Sequence, residues 1–275
     1  MSRRPLLLGL AALAALPALA AVGAAQESPD AGDRARTTVD RIAALGARPA
    51  GAAGAEAAVA DLVAERLQEL GYRVVLQAVR LPNGRVSRNV VASAGAAPRV
   101  VLTAHYDGVR GTPAANDNAS GVAVLLELAD ALRDRPGVLL AATAAEERVQ
   151  TKSKQHLGSL RLLRGISPAA RRGVRLAATI DMVGVGTLLH VRGLEARPNR
   201  SAQLLLRGGG ASYLRDSGLA DHAEQTRGGM PAAWVQWRND RCWHAPCDVA
   251  RRVNPRRMQA AYELVLRAAE AALDG

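Results

Sequence analysis

Residues 99–107 read RVVLTAHYD, a Val-rich apolar run that ends in a histidine and an aspartate. A short run of this kind predicts a strand buried on both faces of a sheet. Two later runs have the same form: VLLAATAAEE at residues 138–147 ends in two glutamates, and VRLAATID at residues 174–181 ends in an aspartate. Because strands buried on both faces are typical of parallel sheets, these runs favour an α/β fold.

Helical and strand patterns alternate along the rest of the chain. The three buried strands are predicted over residues 99–104, 138–144 and 174–180, further strands over 72–79, 89–93, 188–192 and 232–237, and helices over 55–70, 120–133, 201–217 and 255–273. No internal repeat and no long linker divides this part of the chain. We therefore predict a single-domain three-layer sandwich, with a mostly parallel central sheet flanked by helices on both faces.

The first 25 residues have the layout of a cleavable secretory signal. Arg3 and Arg4 precede an apolar run at residues 6–21, and small residues lead from it to the polar Gln26. The start SRRPLL resembles a twin-arginine signal in part, although the expected Phe is missing. A retained membrane anchor is the alternative, although the run is short for a spanning helix and no second span follows. We expect a signal at residues 1–25, a flexible mature start at 26–38 and one folded domain at 39–275.

This layout predicts a periplasmic or secreted protein with no stable membrane span once the signal is removed. Cys242 and Cys247 would then lie in an oxidising compartment, where four intervening residues permit a turn that joins them in a disulfide. A pair of free thiols or a second metal role is the alternative for these cysteines.

The formal net charge is +11, yet the basic residues are spread along the chain. Aromatic residues make up only 3% of the sequence, so few rings are available to stack on bases. We expect no nucleic-acid partner, and the sequence does not indicate an oligomeric state.

Polar groups that can bind a metal follow the three buried strands. Since ligand sites in open α/β sheets lie beyond the carboxyl ends of the strands, His105, the Glu146–Glu147 pair and Asp181 should meet at one edge. Carboxylates crowded together repel one another unless a cation compensates them, and mixed imidazole and carboxylate ligands favour zinc. Asp117 and His244 are further candidate ligands in polar stretches.

Each of these residues also has a simpler structural interpretation. Asp117, taken alone, is typical of a residue that caps a helix. The two glutamates could be a solvated pair at a strand end, and His105 could be a histidine that is hydrogen-bonded at the end of a strand. His156 follows a charged segment and His190 lies in a short apolar strand, and both are interpreted as structural or surface residues.

Five motifs in order resemble one family: HYDG at 105–108, ANDNASGVA at 115–123, AEE at 145–147, IDMVG at 180–184 and HAPCD at 244–248. They are similar to the secreted bacterial di-zinc aminopeptidases, whose relatives include glutaminyl cyclases. The resemblance extends from about residue 39 to the C-terminus.

The resemblance implies two zinc ions and a role for each motif residue. One zinc would be held by His105, Asp117 and Asp181, and the other by Asp117, Glu147 and His244, so that Asp117 bridges them. Glu146 would be the general base, and Asp107 would accept the other ring N–H of His105. His222 and Trp243 would contact the substrate; Trp243 stands where the family often has Tyr.

The expected activity is hydrolysis of N-terminal residues from peptide substrates by an exported zinc aminopeptidase. A glutaminyl-peptide cyclotransferase and a non-catalytic metal-binding relative are the alternatives. The segment at 148–157 is longer and more basic than its family counterpart, so the preferred N-terminal residue does not transfer from the family.

Overall fold

The computed structural model describes residues 29–147 and 155–275. Its eight strands form one sheet in the order β1-β2-β4-β3-β5-β8-β6-β7. The strands are β1 Arg73–Arg80, β2 Val86–Ser93, β3 Val100–His105, β4 Val138–Thr143, β5 Leu176–Ile180, β6 Leu188–Gly193, β7 Ser212–Arg215 and β8 Ala232–Arg238. The predicted α/β sandwich is confirmed.

The centre of the sheet is parallel. Strand β3 pairs in parallel with β4 on one side and β5 on the other, and β5 pairs in parallel with β8. The antiparallel pairs are β1 with β2, β2 with β4, and β6 with β8, whereas the edge pair β6 and β7 is again parallel. The carboxyl ends of β3, β4, β5 and β8 therefore meet at one edge of the sheet.

Helices cover both faces of this sheet. They are α1 Ala31–Ala44, α2 Ala55–Glu69, α3 Ser120–Leu132, α4 Leu157–Arg164, α5 Pro168–Gly173, α6 Arg200–Leu206, α7 His222–Arg227 and α8 Pro255–Asp274. The main apolar core lies between one face and α1, α2, α3, α6 and α8, while α4 packs smaller clusters on the other face. In β3, Val100 and Leu102 enter the main core and Val101 the opposite one, as expected for a strand buried on both faces.

Two predictions about local structure are wrong. The helix expected over 201–217 ends at Leu206, because Gly209 and Gly210 adopt positive φ and the chain then continues as β7. The second concerns residues 26–38, which were expected to be flexible but are helical from Ala31 onward. The Asp30 side chain caps α1, and Ala35 is buried in the main core.

The proposed signal at residues 1–25 and most of the basic segment at 148–157 lie outside the described residues. In the two described stretches, 29–147 and 155–275, no helix has the length and apolar character needed to cross a membrane.

Candidate active site

The sheet edge formed by β3, β4 and β5 brings His105 and Asp181 together. His105 is the last residue of β3, and Asp181 directly follows β5. The Nε2 atom of His105 lies 3.2 Å from Oδ1 of Asp117 and 3.5 Å from Oδ1 of Asp181. All three side chains are almost fully buried.

His244 approaches the same aspartate from the opposite side. Its Nε2 atom lies 3.2 Å from Oδ2 of Asp117 and 3.1 Å from Oε1 of Glu147. Asp117 therefore turns one carboxylate oxygen toward each histidine.

The position of Asp117 depends on the irregular turn Ala115–Ala119 that precedes α3. The carboxylate of Asp248 accepts hydrogen bonds from the backbone N–H groups of Asn116 at 2.8 Å and Asp117 at 3.0 Å. A Cβ on Gly121 would lie 2.1 Å from the carbonyl oxygen of Ile180. Glycine at this position thus lets the start of α3 approach the end of β5, next to Asp181.

Asp107 contacts both the His105 ring and the backbone of the two glutamates. Its carboxylate accepts hydrogen bonds from the backbone N–H groups of Glu146 at 3.1 Å and Glu147 at 3.3 Å. The Nδ1 atom of His105 lies 3.1 Å from the backbone carbonyl of Asp107 and 3.7 Å from its Oδ1. The backbone, rather than the carboxylate, therefore makes the shorter contact with the His105 ring, because the carboxylate is directed toward the two glutamates.

Arg48 is a supporting residue that the sequence analysis missed. Its guanidinium is fully buried and donates to the carbonyls of Tyr106, Pro113 and Ala114. It thus joins the backbone after β3 to the backbone before Asp117. No local sequence signal marks this role, since Arg48 is far from both segments in the chain.

His156 was interpreted as structural or surface, but it contacts the proposed base. It is 1% exposed, and its Nε2 atom lies 3.3 Å from Oε1 of Glu146. The backbone N–H of His156 also donates to the carbonyl of Glu146 at 2.9 Å. Its Nδ1 atom lies 3.6 Å from Oε1 of Glu224. The charged segment that precedes His156 gave no indication of these contacts.

The site shifts the ionisation of its own side chains. Burial raises the pKa of Glu146 to about 8 and also raises those of Glu147 and Asp181. Burial opposes the charged forms of His244 and His156, yet nearby carboxylates raise their pKa values to about 10 and about 9. Carboxylates and imidazoles in this cluster thus depend on one another for charge compensation.

The donor set fits a metal ion. Ligand atoms of His105, Glu146 and Asp181 lie within 4.8 Å of one another, as do those of His105, Asp117 and Glu147. Oδ1 of Asp181 and Oε1 of Glu147 are buried and make no hydrogen bond, although an imidazole Nε2 atom lies 3.5 Å from the first and 3.1 Å from the second. Buried carboxylate oxygens that lack donors beside imidazole nitrogens are the groups that zinc binds.

A cavity of about 710 Å³ opens over this cluster. Its walls include Glu146, Glu147, His156 and Trp243, and Trp243 is 53% exposed. His222 differs from its prediction: it is fully buried, is absent from the cavity wall, and lies with Nε2 3.5 Å from Oδ1 of Asp216.

The predicted disulfide between Cys242 and Cys247 is present, with the two Cα atoms 5.4 Å apart. It closes a short loop that carries Trp243 and His244. Because His244 has a positive φ of 55°, the loop holds its backbone in a conformation that is uncommon for a residue other than glycine.

A sequence model of peptidase family M28 matches residues 89–269. Among curated proteins, YfbL of Escherichia coli (strain K12) is 34% identical over 138 residues, which cover 46% of this chain and 41% of YfbL. Aminopeptidase YwaD of Bacillus subtilis (strain 168) is 29% identical over 185 residues, covering 60% of this chain and 39% of YwaD. The matched regions thus span less than half of each relative.

The fold is also similar to that of a solved protein, BSAP, a zinc aminopeptidase from Bacillus subtilis. The TM-score is 0.81 at 19% sequence identity, and the match covers 89% of this chain and 96% of BSAP. At this level of identity, the similarity establishes the shared fold.

Proposed function

The chain belongs to peptidase family M28, and we propose from this that it is a zinc-dependent aminopeptidase that removes N-terminal residues from peptides. The observation that carries the proposal is the position of Asp117, whose two carboxylate oxygens each lie 3.2 Å from a different histidine. A carboxylate between two imidazoles is suited to bridge two metal ions.

Two ligand sets follow from these contacts. His105, Asp117 and Asp181 would hold one zinc, and Asp117, Glu147 and His244 would hold the other. Zinc held here would polarise the scissile carbonyl and stabilise negative charge on its oxygen. Asp248 and Arg48 fix the backbone on either side of this cluster, so the ligands are in place before a substrate binds.

Glu146 is the proposed general base. It lines the cavity, and one of its carboxylate oxygens lies within 4.8 Å of ligand atoms of His105 and Asp181. Burial raises the pKa of its carboxyl group, so in its ionised form Glu146 is a stronger base toward the attacking water than an exposed glutamate. The same carboxyl group then delivers the proton to the leaving amine. Asp107 holds the Glu146 backbone, and His156 contacts its carboxylate.

We also propose export to the periplasm or the medium. The basic and apolar N-terminal sequence supports this location, and the disulfide is compatible with an oxidising compartment.

The activity is tested with the zinc-loaded protein and a matched substrate panel. Aminoacyl amides should be hydrolysed, whereas the same compounds with an acetylated N-terminus should not. Peptides that begin with glutamine should lose that residue by hydrolysis instead of cyclising with release of ammonia.

Metal dependence is measured on the same sample. Chelation should abolish hydrolysis and lower Tm, because the buried carboxylates then face one another without cations, and added zinc should restore both. Full activity after verified metal removal, or cyclisation of glutaminyl peptides without hydrolysis, contradicts the proposal.

A further inference from the structure

A second polar cluster lies in the same cavity, on strands β6 and β8. Arg192, Trp234, Gln236 and Arg238 all line the cavity. In the strand register, Arg192 pairs with Trp234, and alternate residues place Gln236 and Arg238 on the same face of β8. We call Arg192, Gln236 and Arg238 the basic floor.

Arg192 is the fixed element of the basic floor. One terminal nitrogen lies 2.9 Å from Oδ2 of Asp216, and the other donates to Oε1 of Gln236 at 2.7 Å. The guanidinium also stacks over Trp234, with Cζ 4.2 Å from the ring centroid. Asp216 thus compensates the Arg192 charge, and Arg192 in turn orients the Gln236 amide.

The side-chain NH₂ group of Gln236 is a strong hydrogen-bond donor that has only a weak acceptor beside it. Its carbonyl oxygen accepts from Arg192, so its NH₂ group points elsewhere and lies 3.5 Å from the thioether sulfur of Met182. A thioether is a poor acceptor, and Gln236 is only 7% exposed. An oxygen ligand in the cavity would be a better acceptor for this N–H group.

Arg238 has no compensating partner in the described part of the chain. Its side chain forms no hydrogen bond or ion pair there, whereas the Asp216 carboxylate that contacts Arg192 also accepts from the backbone N–H of Gly218. Burial lowers the pKa of the neighbouring His190, and the Arg238 and Arg192 cations lower it further. The basic floor therefore carries one uncompensated positive charge beside an amide donor.

We propose that the basic floor binds a carboxylate of the substrate, so that the enzyme prefers peptides with an acidic N-terminal residue. This inference rests on the proposed aminopeptidase function. Arginine and amide N–H groups are the donors that carboxylates use in proteins, and a cavity of about 710 Å³ accommodates a glutamyl residue together with the scissile bond. The free carboxylate of a very short peptide offers the same chemistry, and the test separates the two sources.

The test compares kcat/KM for matched substrates of the zinc-loaded protein. Glutamyl and glutaminyl anilides have nearly the same shape and differ in charge, so their ratio isolates the side-chain carboxylate. Leucyl-glycine and leucyl-glycinamide isolate the C-terminal carboxylate in the same way. We expect the glutamyl substrate to be favoured about tenfold over the glutaminyl one, the usual effect of one charged hydrogen bond. The two leucyl compounds should differ much less.

Arg238→Gln is the informative variant, because Arg238 has no described partner whose loss would disturb the fold. It should reduce the glutamyl-to-glutaminyl ratio to about one. Arg241→Gln removes an equal charge from an exposed neighbour outside the cavity wall and should leave the ratio unchanged. High salt should lower the ratio in the parent protein, since it screens the charge.

Binding of free glutamate and glutamine, measured by calorimetry, separates this inference from the proposed function. One outcome is that no aminoacyl substrate is hydrolysed, but glutamate binds more tightly than glutamine and loses this advantage in Arg238→Gln. In that case the proposed function fails and the carboxylate subsite stands. If hydrolysis is efficient but the glutamyl substrate has no advantage, the subsite is overturned while the function stands. If leucyl-glycine is favoured over leucyl-glycinamide while the glutamyl and glutaminyl substrates react equally, the proposed preference for an acidic N-terminal residue is also overturned.

Discussion

The Nε2 atom of His156 lies 3.3 Å from Oε1 of Glu146, and both side chains are buried. His156 follows a charged segment and precedes α4, so this contact joins the start of α4 to the strand end after β4. The imidazole thus contacts one carboxylate oxygen of a side chain that lines the cavity. His156 therefore positions the carboxylate that we propose as the general base.

His156→Gln should lower kcat by about tenfold, because Glu146 then samples more orientations, and should change KM little. Zinc content and Tm should remain near the parental values. His190→Gln is the matched control, since His190 lies outside the cavity wall. Equal kcat in the His156 variant and the parent contradicts the positioning role.

Asp248→Ala should weaken zinc binding by about 10- to 100-fold, because its carboxylate accepts hydrogen bonds from the backbone N–H groups of Asn116 and Asp117 and so orients Asp117. Competition with a chromophoric chelator measures this affinity. Asp134→Ala removes a carboxylate whose side chain is 91% exposed and should leave zinc affinity unchanged. Unaltered affinity in the folded Asp248 variant shows that Asp117 does not need this support.

Removing the disulfide should release the loop that carries His244. A double Cys242→Ser, Cys247→Ser variant should lose about 2 kcal/mol of unfolding free energy, as expected for so short a closed loop. Its zinc content should fall at limiting zinc and recover in excess, because His244 remains present but less ordered. Zinc affinity equal to that of the parent contradicts a role for the loop in holding His244.

Glu56 provides a pH prediction away from the proposed zinc ligands. It is 4% exposed, and burial raises its pKa from 4.5 to about 7. The folded state therefore binds more protons than the unfolded state between these two values, so stability is lost as the pH rises from about 4.5 to 7.

The Glu56→Gln variant is neutral throughout this range. Its unfolding free energy relative to the parent should rise by about 3 kcal/mol between pH 4.5 and pH 8, at 1.36 kcal/mol for each pKa unit. Urea unfolding at several pH values measures the difference. Asp61→Asn, at an exposed side chain, is the control and should show no such pH dependence. If the difference in unfolding free energy between Glu56→Gln and the parent does not change with pH, the pKa of Glu56 is not raised in the folded state.

The sequence predicted the central strands and the residues that follow them because both have local signals. Runs such as 99–104 and 174–180 are mostly apolar, and parallel strands end at the same edge, so His105 and Asp181 were expected to lie near each other. The helix over 201–217 was predicted wrongly because a helical pattern was extended across three glycines.

The supporting residues of the site were harder to predict. The contacts of Arg48, His156 and Arg192 are set by how distant segments pack, and no local sequence pattern marks these contacts. The motif residues could be grouped in advance, but the hydrogen bonds from the Glu146 and Glu147 backbones to the Asp107 carboxylate could not. Which N–H groups a buried carboxylate accepts from depends on backbone directions that spacing does not specify.

The most direct test of the account compares Glu146→Gln with Glu147→Gln in zinc content and peptide turnover. Neighbouring side chains here have different contacts: Glu147 lies 3.1 Å from His244, and Glu146 lies 3.3 Å from His156. Glu146→Gln should keep its zinc and its fold but lose about 10²- to 10⁴-fold in kcat, the usual contribution of a general base. Glu147→Gln should lose zinc. Hydrolysis at the parental rate by fully zinc-loaded Glu146→Gln would contradict the proposed mechanism.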